Sequence, residues 1–106
     1  MQDCIFCKIV KGEIPSKIEK ETDDLIVIKD LHPQAPTHLL IIAKKHIQDI
    51  REDDGKIWNS IAEVAKEIIK ERKLKGVRLV HNIGDAVLIR HMHVHLLGEV
   101  DEKRKV

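Results

Sequence analysis

The sequence has almost no excess charge of either sign. Its 19 Lys and Arg residues stand against 18 Asp and Glu residues, so the formal net charge is +1. Proteins that bind nucleic acid through its phosphates usually carry a basic patch or a clear positive excess. The charge balance therefore argues against a nucleic-acid partner.

Long hydrophobic runs and low-complexity segments are also missing. No run approaches the ~20 apolar residues that cross a bilayer, so we expect no membrane partner. The first residues lack a charged segment followed by a long apolar stretch, which predicts no signal peptide and a cytoplasmic location. With no internal repeat and 106 residues, a single domain over residues 1–106 is expected, and the charged residues 101–106 are predicted to form a frayed tail.

Cysteine is rare, with only Cys4 and Cys7 in the chain. In a reducing compartment such a close pair more often serves metal or redox chemistry than a disulfide. A structural zinc ion needs four ligands, so two more must come from elsewhere in the chain. The alternative is a pair of small buried thiols without a metal.

The apolar residues predict one sheet and one long helix. The helix lies between a capping Asp53 or Asp54 and Gly76, because apolar residues recur there at steps of three and four. These residues are Ile57, Trp58, Ile61, Val64, Ala65, Ile68 and Ile69. A short helical turn is predicted over Cys7–Lys11, and strands over 17–20, Leu25–Ile28, His38–Ala43, Val77–His81 and His91–Leu97. Because helices and strands do not alternate regularly, an α+β fold with a mainly antiparallel sheet is favoured.

Three histidines, His91, His93 and His95, occupy alternate positions near the end of the sequence. On a strand they share one face, while the apolar residues between them face the other way. The row spans ~13 Å, which is too long for one zinc ion with bonds of ~2 Å to bind all three. We therefore expect the three histidines to have different roles. His91 and His95 flank His93 and could orient its ring or move a proton. The alternative is a row of histidines without a function.

The segment His91–Leu97 resembles the His-φ-His-φ-His-φ-φ signature of the histidine triad family, in which φ is an apolar residue. Four upstream segments resemble the nucleotide-binding, Hint-like branch of that family: Asp3–Ile9, Gly12–Pro15, Pro33–His38 and Lys44–Ile47. The resemblance covers nearly the whole chain. It implies a mainly antiparallel sheet of about five strands, one long helix, a short N-terminal helix and a homodimer.

The resemblance also implies a reaction. Family members hydrolyse nucleoside phosphoramidates and related nucleoside 5′-phosphate derivatives through a nucleotidyl-histidine intermediate. His93 would be the nucleophile, a role that suits a neutral imidazole near pH 7. His95 would protonate or stabilise the phosphate side, His38 would complete the histidine cluster, and His91 would help to hold the nucleophile. This chemistry requires no cofactor.

The same resemblance implies a binding pocket for a purine nucleotide or a nucleoside phosphoramidate. Asp30 would bind the ribose hydroxyls, for which a carboxylate is a suitable acceptor. Asn82 would lie near the phosphate, although a lone Asn at a strand end is also a common turn former. The apolar positions around the base, whose alternative is plain core, are Ile5, Phe6, Ile9, Ile28 and Leu31.

Zinc is the one metal that the resemblance suggests. Some family members bind it with a cysteine pair and two histidines. The matching positions here are Cys4, Cys7, His46 and His91. In that case His91 has a structural role as a zinc ligand, and the metal fixes the strand beside the nucleophile.

One segment departs from the family pattern. Val87 and Leu88 stand where a Gln and a Ser are expected just before the histidines. Losing one preorganised donor of this kind can cost ~10²–10³ in rate. Arg90 is predicted to face away from the histidines and so is not expected to replace the donor. Two alternatives therefore stay open: a nucleotide-binding or regulatory protein with little turnover, and a zinc-binding interaction module.

Overall fold

The computed structural model describes residues 4–105; Asp3 of the first motif and Val106 of the predicted tail lie outside them. A short helix comes first, three strands and the long helix follow, and two further strands complete the sheet. The elements are α1 (Ile5–Val10), β1 (Ile18–Glu21), β2 (Leu25–Lys29), β3 (Thr37–Ala43), α2 (Lys56–Arg72), β4 (Val77–Val80) and β5 (His93–Gly98). Single 3-10 turns occur at Ile50–Glu52 and Gly84–Ala86.

The five strands form one antiparallel sheet in the order β1-β2-β3-β5-β4. The predicted α+β fold, with one long and one short helix, is confirmed. In the central pair, His38 lies opposite Leu97 and Leu40 opposite His95. Residues paired in this way share a face, so His38, His93 and His95 lie on the same side of the sheet.

The two helices cover opposite faces of the sheet. Helix α2 covers the face without the histidine row, and its buried stripe is Ile57, Ile61, Val64, Ala65 and Ile68. Helix α1 covers part of the histidine face through Phe6 and Ile9, which pack on Ile26, Ile28, Leu40 and Ile42. Because α1 has only six residues, it leaves one end of that face open.

The ends of α2 agree only in part with the prediction. Asp53 accepts hydrogen bonds from the backbone N–H groups of Ile57 and Trp58, at 3.2 and 2.8 Å, and so satisfies the first turn as expected. Gly76 lies beyond the end of the helix, as predicted, but the left-handed residue that follows the last turn is Lys73, with φ 54°. Glycine is required at position 76 because a Cβ there would lie 1.8 Å from the carbonyl oxygen of Val100.

Among the strands and the short helix, two predicted boundaries differ from the structure by two residues, and the others differ by one residue or none. Helix α1 begins at Ile5 rather than Cys7, because the sulfur of Cys4 accepts from the backbone N–H of Cys7 at 3.4 Å and caps the first turn. Strand β5 begins at His93 rather than His91. Met92 donates its N–H to the carbonyl of Ile47, which lies beyond β3, so this part of the chain leaves the regular ladder.

No helix among residues 4–105 is long and apolar enough to cross a membrane. The fraying of residues 101–106 is a matter of motion and stays a prediction. In the structure, the N–H of Arg104 donates to the carbonyl of Asp101 at 3.2 Å, and the Arg78 guanidinium donates to that carbonyl at 3.3 Å.

Candidate active site and metal cluster

His93 is held with one ring nitrogen fixed. It is 7% exposed, and its Nδ1 lies 2.6 Å from the carbonyl oxygen of His91. Since a carbonyl only accepts, Nδ1 carries the proton and Nε2 keeps a free electron pair. Burial lowers the pKa of His93, which keeps the ring neutral and nucleophilic near pH 7. The ring of Phe6 packs edge-on against it, with centroids 4.9 Å apart.

His38 and His95 form a hydrogen-bonded pair beside His93. Nδ1 of His38 accepts from the backbone N–H of Gln34 at 3.0 Å, so its proton is on Nε2. That Nε2 donates to Nδ1 of His95 at 2.9 Å and lies 3.4 Å from a carboxylate oxygen of Asp30. His95 therefore carries its own proton on Nε2. Burial lowers the pKa of both imidazoles.

An apolar cavity of about 460 Å³ opens over this histidine row. His93 and His95 line it together with every residue predicted for the nucleotide: Ile5, Phe6, Ile9, Ile28, Asp30, Leu31 and Asn82. Leu31 and Leu88 stand at its mouth, 90% and 96% exposed. An apolar cleft with a few convergent polar groups is the usual form of a small-molecule site.

Residues 83–90 close one side of that cavity with apolar side chains. Ala86, Val87, Leu88 and Ile89 line it, and no hydroxyl group is among them. Arg90 pairs instead with the exposed carboxylate of Asp85 at 3.3 Å. This segment therefore brings no side-chain donor or positive charge to the cavity.

The four predicted metal ligands form one cluster at the base of the site. One ligand atom from each of Cys4, Cys7, His46 and His91 lies within 4.8 Å of the others. The two Nδ1 atoms are 3.1 Å apart, and the Cys7 sulfur lies 3.1 Å from His46 Nδ1. Zinc bonds of about 2.0 Å to nitrogen and 2.3 Å to sulfur at tetrahedral angles give ligand separations of about 3.3–3.8 Å. The cluster is slightly tighter and fits this geometry.

The chemistry of the donors also fits zinc. Nε2 of the fully buried His91 lies 2.6 Å from the carbonyl of Ala43 and must donate its proton to it. Nδ1 of His91 is therefore free to bind a metal, and the carbonyl acts as an outer partner that fixes the ring. Burial, followed by the neighbouring Cys4, raises the pKa of the Cys7 thiol, an effect that a divalent cation reverses by favouring the thiolate.

Two residues that the sequence analysis left without a role support the site. His81 lies 2.9 Å from the carbonyl of His93 through Nδ1 and accepts from the N–H of Ile50 through Nε2 at 3.1 Å. Asp49, 1% exposed, accepts from the Arg51 guanidinium at 2.8 Å and from the N–H of Gly84 at 3.3 Å. The Arg51 guanidinium holds the pKa of Asp49 well below its usual range. No motif marked either residue, since both act on backbone groups distant in sequence.

The chain resembles known proteins over its full length. A family model described as "Scavenger mRNA decapping enzyme C-term binding" matches residues 3–105. A HIT family hydrolase from Clostridium thermocellum has 40% identity and a TM-score of 0.91, over 100% of this chain and 98% of that one. The adenosine 5′-monophosphoramidase HINT3 of Danio rerio is 31% identical over 96% of this chain and 68% of its own length.

A zinc-bound histidine triad family protein from Mycobacterium smegmatis has 25% identity and a TM-score of 0.85, over 97% of this chain and 79% of that one. The fold and the row of histidines agree with these matches. This chain belongs to the histidine triad (HIT) family. Its similarity to the hydrolases supports a hydrolase-type enzyme.

Proposed function

We propose that the protein hydrolyses nucleoside 5′-phosphoramidates or related nucleoside phosphate derivatives, with His93 as the nucleophile. The observation that carries this proposal is the fixed ring of His93. Its Nδ1 proton is bound to the carbonyl of His91 at 2.6 Å, which leaves Nε2 unprotonated beside the cavity. The similarity to an adenosine 5′-monophosphoramidase supports the substrate class.

In the first step, Nε2 of His93 bonds to the α-phosphorus while the phosphorus–nitrogen bond breaks. The His38–His95 pair takes up one proton when the anionic phosphate binds, and Asp30 balances that charge. His95 passes its Nε2 proton to the leaving nitrogen, which keeps the electron pair and departs as an amine. His93 then holds the nucleotidyl group as a cation, and its Nδ1–H still donates to His91.

In the second step, a water oxygen bonds to phosphorus and the bond from phosphorus to Nε2 breaks. The electron pair returns to His93, and a proton from the water returns to the His38–His95 pair. The products are the free amine and a nucleoside 5′-monophosphate. Asp30 and the apolar lining of the cavity bind the ribose and the base throughout.

AMP release from adenosine 5′-phosphoramidate tests the proposal. We expect the wild-type protein to release AMP and His93→Ala to lose about 10⁴-fold or more of kcat, because nothing replaces the nucleophile. Lys66→Ala, on the exposed face of α2, is the matched control and should keep full activity. AMP release by His93→Ala at the wild-type rate would exclude His93 as the nucleophile.

A nucleotide-binding protein with little turnover is the second candidate. The absence of a hydroxyl donor in residues 83–90 favours it, because donors to the transferred group speed phosphoryl chemistry. Calorimetry with AMP separates the two candidates. Tight binding of AMP without any AMP release from the phosphoramidate would support the second candidate and reject the first.

We also propose a structural zinc ion bound by Cys4, Cys7, His46 and His91. The ligand separations and the Ala43 carbonyl behind His91 support it. Zinc does not enter the reaction in this proposal. It holds α1 against the chain just before β5, and so fixes the wall of the cavity that carries Phe6 and Ile9.

A homodimer in the cytoplasm completes the proposal. Strand β4 lies at an edge of the sheet, and unpaired edges favour pairing with a second copy. Leu79 on that strand and Trp58 on α2 are 47% and 38% exposed, which gives the edge an apolar border. Light scattering should give the mass of a dimer, and Leu79→Lys should shift it toward a monomer. A wild-type monomer at high concentration would contradict the dimer.

A further inference from the structure

Asp49 is a buried carboxylate that the proposed reaction does not use. It is 1% exposed, and a charge so far from water costs free energy of folding unless donors surround it. Oδ1 accepts from the backbone N–H and the Nε–H of Arg51, at 3.0 and 2.8 Å. Oδ2 accepts from Nη2 of Arg51 and from the backbone N–H of Gly84, at 2.8 and 3.3 Å. Four donors therefore satisfy the carboxylate.

The bond to Gly84 joins two distant parts of the chain. Arg51 lies two residues from Asp49, so its three bonds form within one short turn. Gly84 lies 35 positions away, between β4 and β5. Its φ of 62° is a left-handed conformation, which glycine adopts without steric cost. The Asp49–Gly84 bond therefore fixes the point at which the chain enters the 3-10 turn Gly84–Ala86.

Residues 83–90, the wall segment, form one side of the cavity over the histidine row. Residues 86–89 line that cavity. Ile89 packs on the apolar cluster of the histidine face, but no residue of the wall segment is buried. The ion pair of Asp85 and Arg90 is exposed, and such pairs contribute little because water screens them. Packing thus holds the end of the wall segment, and the bond to the buried carboxylate holds its beginning.

That bond has no substitute in the described part of the chain. Within residues 4–105, Gly84 makes the only hydrogen bond from the wall segment to a distant part of the chain. The other backbone bonds of the segment join near neighbours, such as the N–H of Val87 and the carbonyl of Gly84 at 3.2 Å. The position of the segment against the cavity therefore depends on Asp49.

We propose that Asp49 is a positioning residue that sets the affinity of the protein for its nucleotide through the wall segment. This inference rests on the proposed function. The carboxylate fixes Gly84, and Gly84 fixes the start of the wall segment, so that the apolar side chains of residues 86–89 lie against the bound nucleotide. The bonds of Asp49 end at Arg51 and Gly84. Asp49 therefore acts on binding and leaves the chemical step unchanged.

Asp49→Asn tests this role in AMP binding and in AMP release from adenosine 5′-phosphoramidate. The amide keeps the size of the carboxylate but replaces one acceptor with a donor, so Gly84 and the Arg51 guanidinium no longer share two acceptor oxygens. We expect the Kd of AMP and the KM to rise about 10-fold, as the loss of a hydrogen bond to a charged group allows. The kcat should stay within about two-fold of the wild-type value, the pattern of lost uniform binding.

Asp54→Asn is the matched control. Asp54 is an exposed carboxylate that also accepts from a backbone N–H, that of Lys56 at 2.9 Å. It should keep the wild-type Kd and KM. A merely structural role would make Asp49→Asn easier to unfold but leave its AMP affinity at the wild-type value, and that result would overturn the inference. A lower kcat at unchanged KM would also overturn it.

Leu88→Ala shows whether the effect passes through the wall segment. Leu88 lines the cavity at its mouth, and a displaced segment no longer brings it to the nucleotide. The double variant of Asp49→Asn and Leu88→Ala should therefore weaken AMP binding by less than the product of the two single effects. Strictly multiplicative effects would mean that Asp49 and the wall segment act independently, and would overturn the inference.

Hydrogen exchange in the wild-type protein tests the same link without a variant. If AMP binds only when the wall segment is anchored, it makes release of Gly84 rarer. The Gly84 amide should then exchange about 10-fold more slowly at an AMP concentration about ten times the Kd. The Leu74 amide, bonded to the carbonyl of Ile69 at 3.0 Å, is the control and should change less. Equal exchange of the Gly84 amide with and without AMP would overturn the inference.

The measurements separate this inference from the proposed function. Weaker AMP binding by Asp49→Asn at intact Asp54→Asn affinity supports the inference even if the wild type releases no AMP from the phosphoramidate. That outcome rejects only the proposed reaction. AMP release by the wild type, together with an unchanged Kd and KM in Asp49→Asn, supports the reaction and rejects the inference.

Discussion

At the scale of single residues, His81 links His93, the proposed nucleophile, to a distant part of the chain. It bonds to the backbone carbonyl of His93 at 2.9 Å and to the backbone N–H of Ile50 at 3.1 Å. The first bond fixes the strand at the position of His93. The second ties that strand to the 3-10 turn at Ile50–Glu52. His81 thus acts as a positioning residue that touches no substrate.

Two variants separate the two bonds of His81. His81→Asn places an amide nitrogen near the position of Nδ1 and keeps the bond to His93, while His81→Gln places an amide oxygen near Nε2 and keeps the bond to Ile50. We expect both to lower the free energy of unfolding by about 1 kcal/mol, the net value of one hydrogen bond. Only His81→Gln should also lower kcat for AMP release. An equal kcat in the two variants would contradict the positioning role.

At the scale of elements, α1 is the least independent part of the fold. Six residues are too few for a stable isolated helix. Its position therefore depends on Phe6 and Ile9 in the core and on Cys4 and Cys7 in the metal cluster. Since Phe6 and Ile9 also line the cavity proposed for the nucleotide, loss of the cluster should affect nucleotide binding.

Cys7→Ser tests this dependence. We expect the zinc content to fall from about one ion per chain to a small fraction of it, because a serine hydroxyl is a poor zinc ligand. The affinity for AMP should fall by about 10-fold as α1 loosens, a weakening of about 1.4 kcal/mol. Metal analysis and calorimetry measure the two effects. Lys11→Ser, at the exposed end of the same helix, is the control, and unchanged AMP affinity in zinc-free Cys7→Ser would contradict the coupling.

At the scale of the whole molecule, the buried histidines make stability depend on pH. Burial lowers the pKa of His38 and His95 from an ordinary value of 6.5. Above that value both rings are neutral in the folded and in the unfolded chain, so stability is complete. Below it the unfolded chain takes up protons more readily than the folded chain. The free energy of unfolding therefore falls as the pH is lowered.

Urea unfolding at pH 7.5, 6.5 and 5.5 measures this effect. The limiting loss is about 1.4 kcal/mol per pH unit for each histidine, and less where water reaches the ring. Protons also compete for the metal ligands, so the useful comparison is with His95→Asn, which keeps the cluster intact. This variant should lose stability less steeply below pH 6.5. Parallel slopes for the two proteins would show that His95 does not titrate differently on folding.

The sequence predicts the fold well where periodicity is strong. The alternation in His93–Gly98 and the stripe of α2 both follow from burial of one face. The boundaries at Cys4 and His91 were missed because a cap and a long-range backbone bond decide them. The residues predicted to contact the nucleotide line one cavity. They could be predicted because they follow from the resemblance to a family. His81 and Asp49 carry no motif, and only the folded chain brings them to the site.

His91 takes part in both centres, through different atoms. Its ring belongs to the proposed metal cluster, while its carbonyl oxygen accepts the hydrogen bond from Nδ1–H of His93. Alanine in place of His91 removes the ring but leaves the carbonyl, so side-chain mutagenesis alone cannot report the full contribution of this residue. Replacing the peptide bond between residues 91 and 92 by an ester weakens the carbonyl as an acceptor and leaves every side chain in place. It also removes the N–H of Met92 and its 2.7 Å bond to the carbonyl of Ile47, so the measured effect is the sum of both changes. Backbone chemistry is therefore the means to measure how this position tunes the ring of His93.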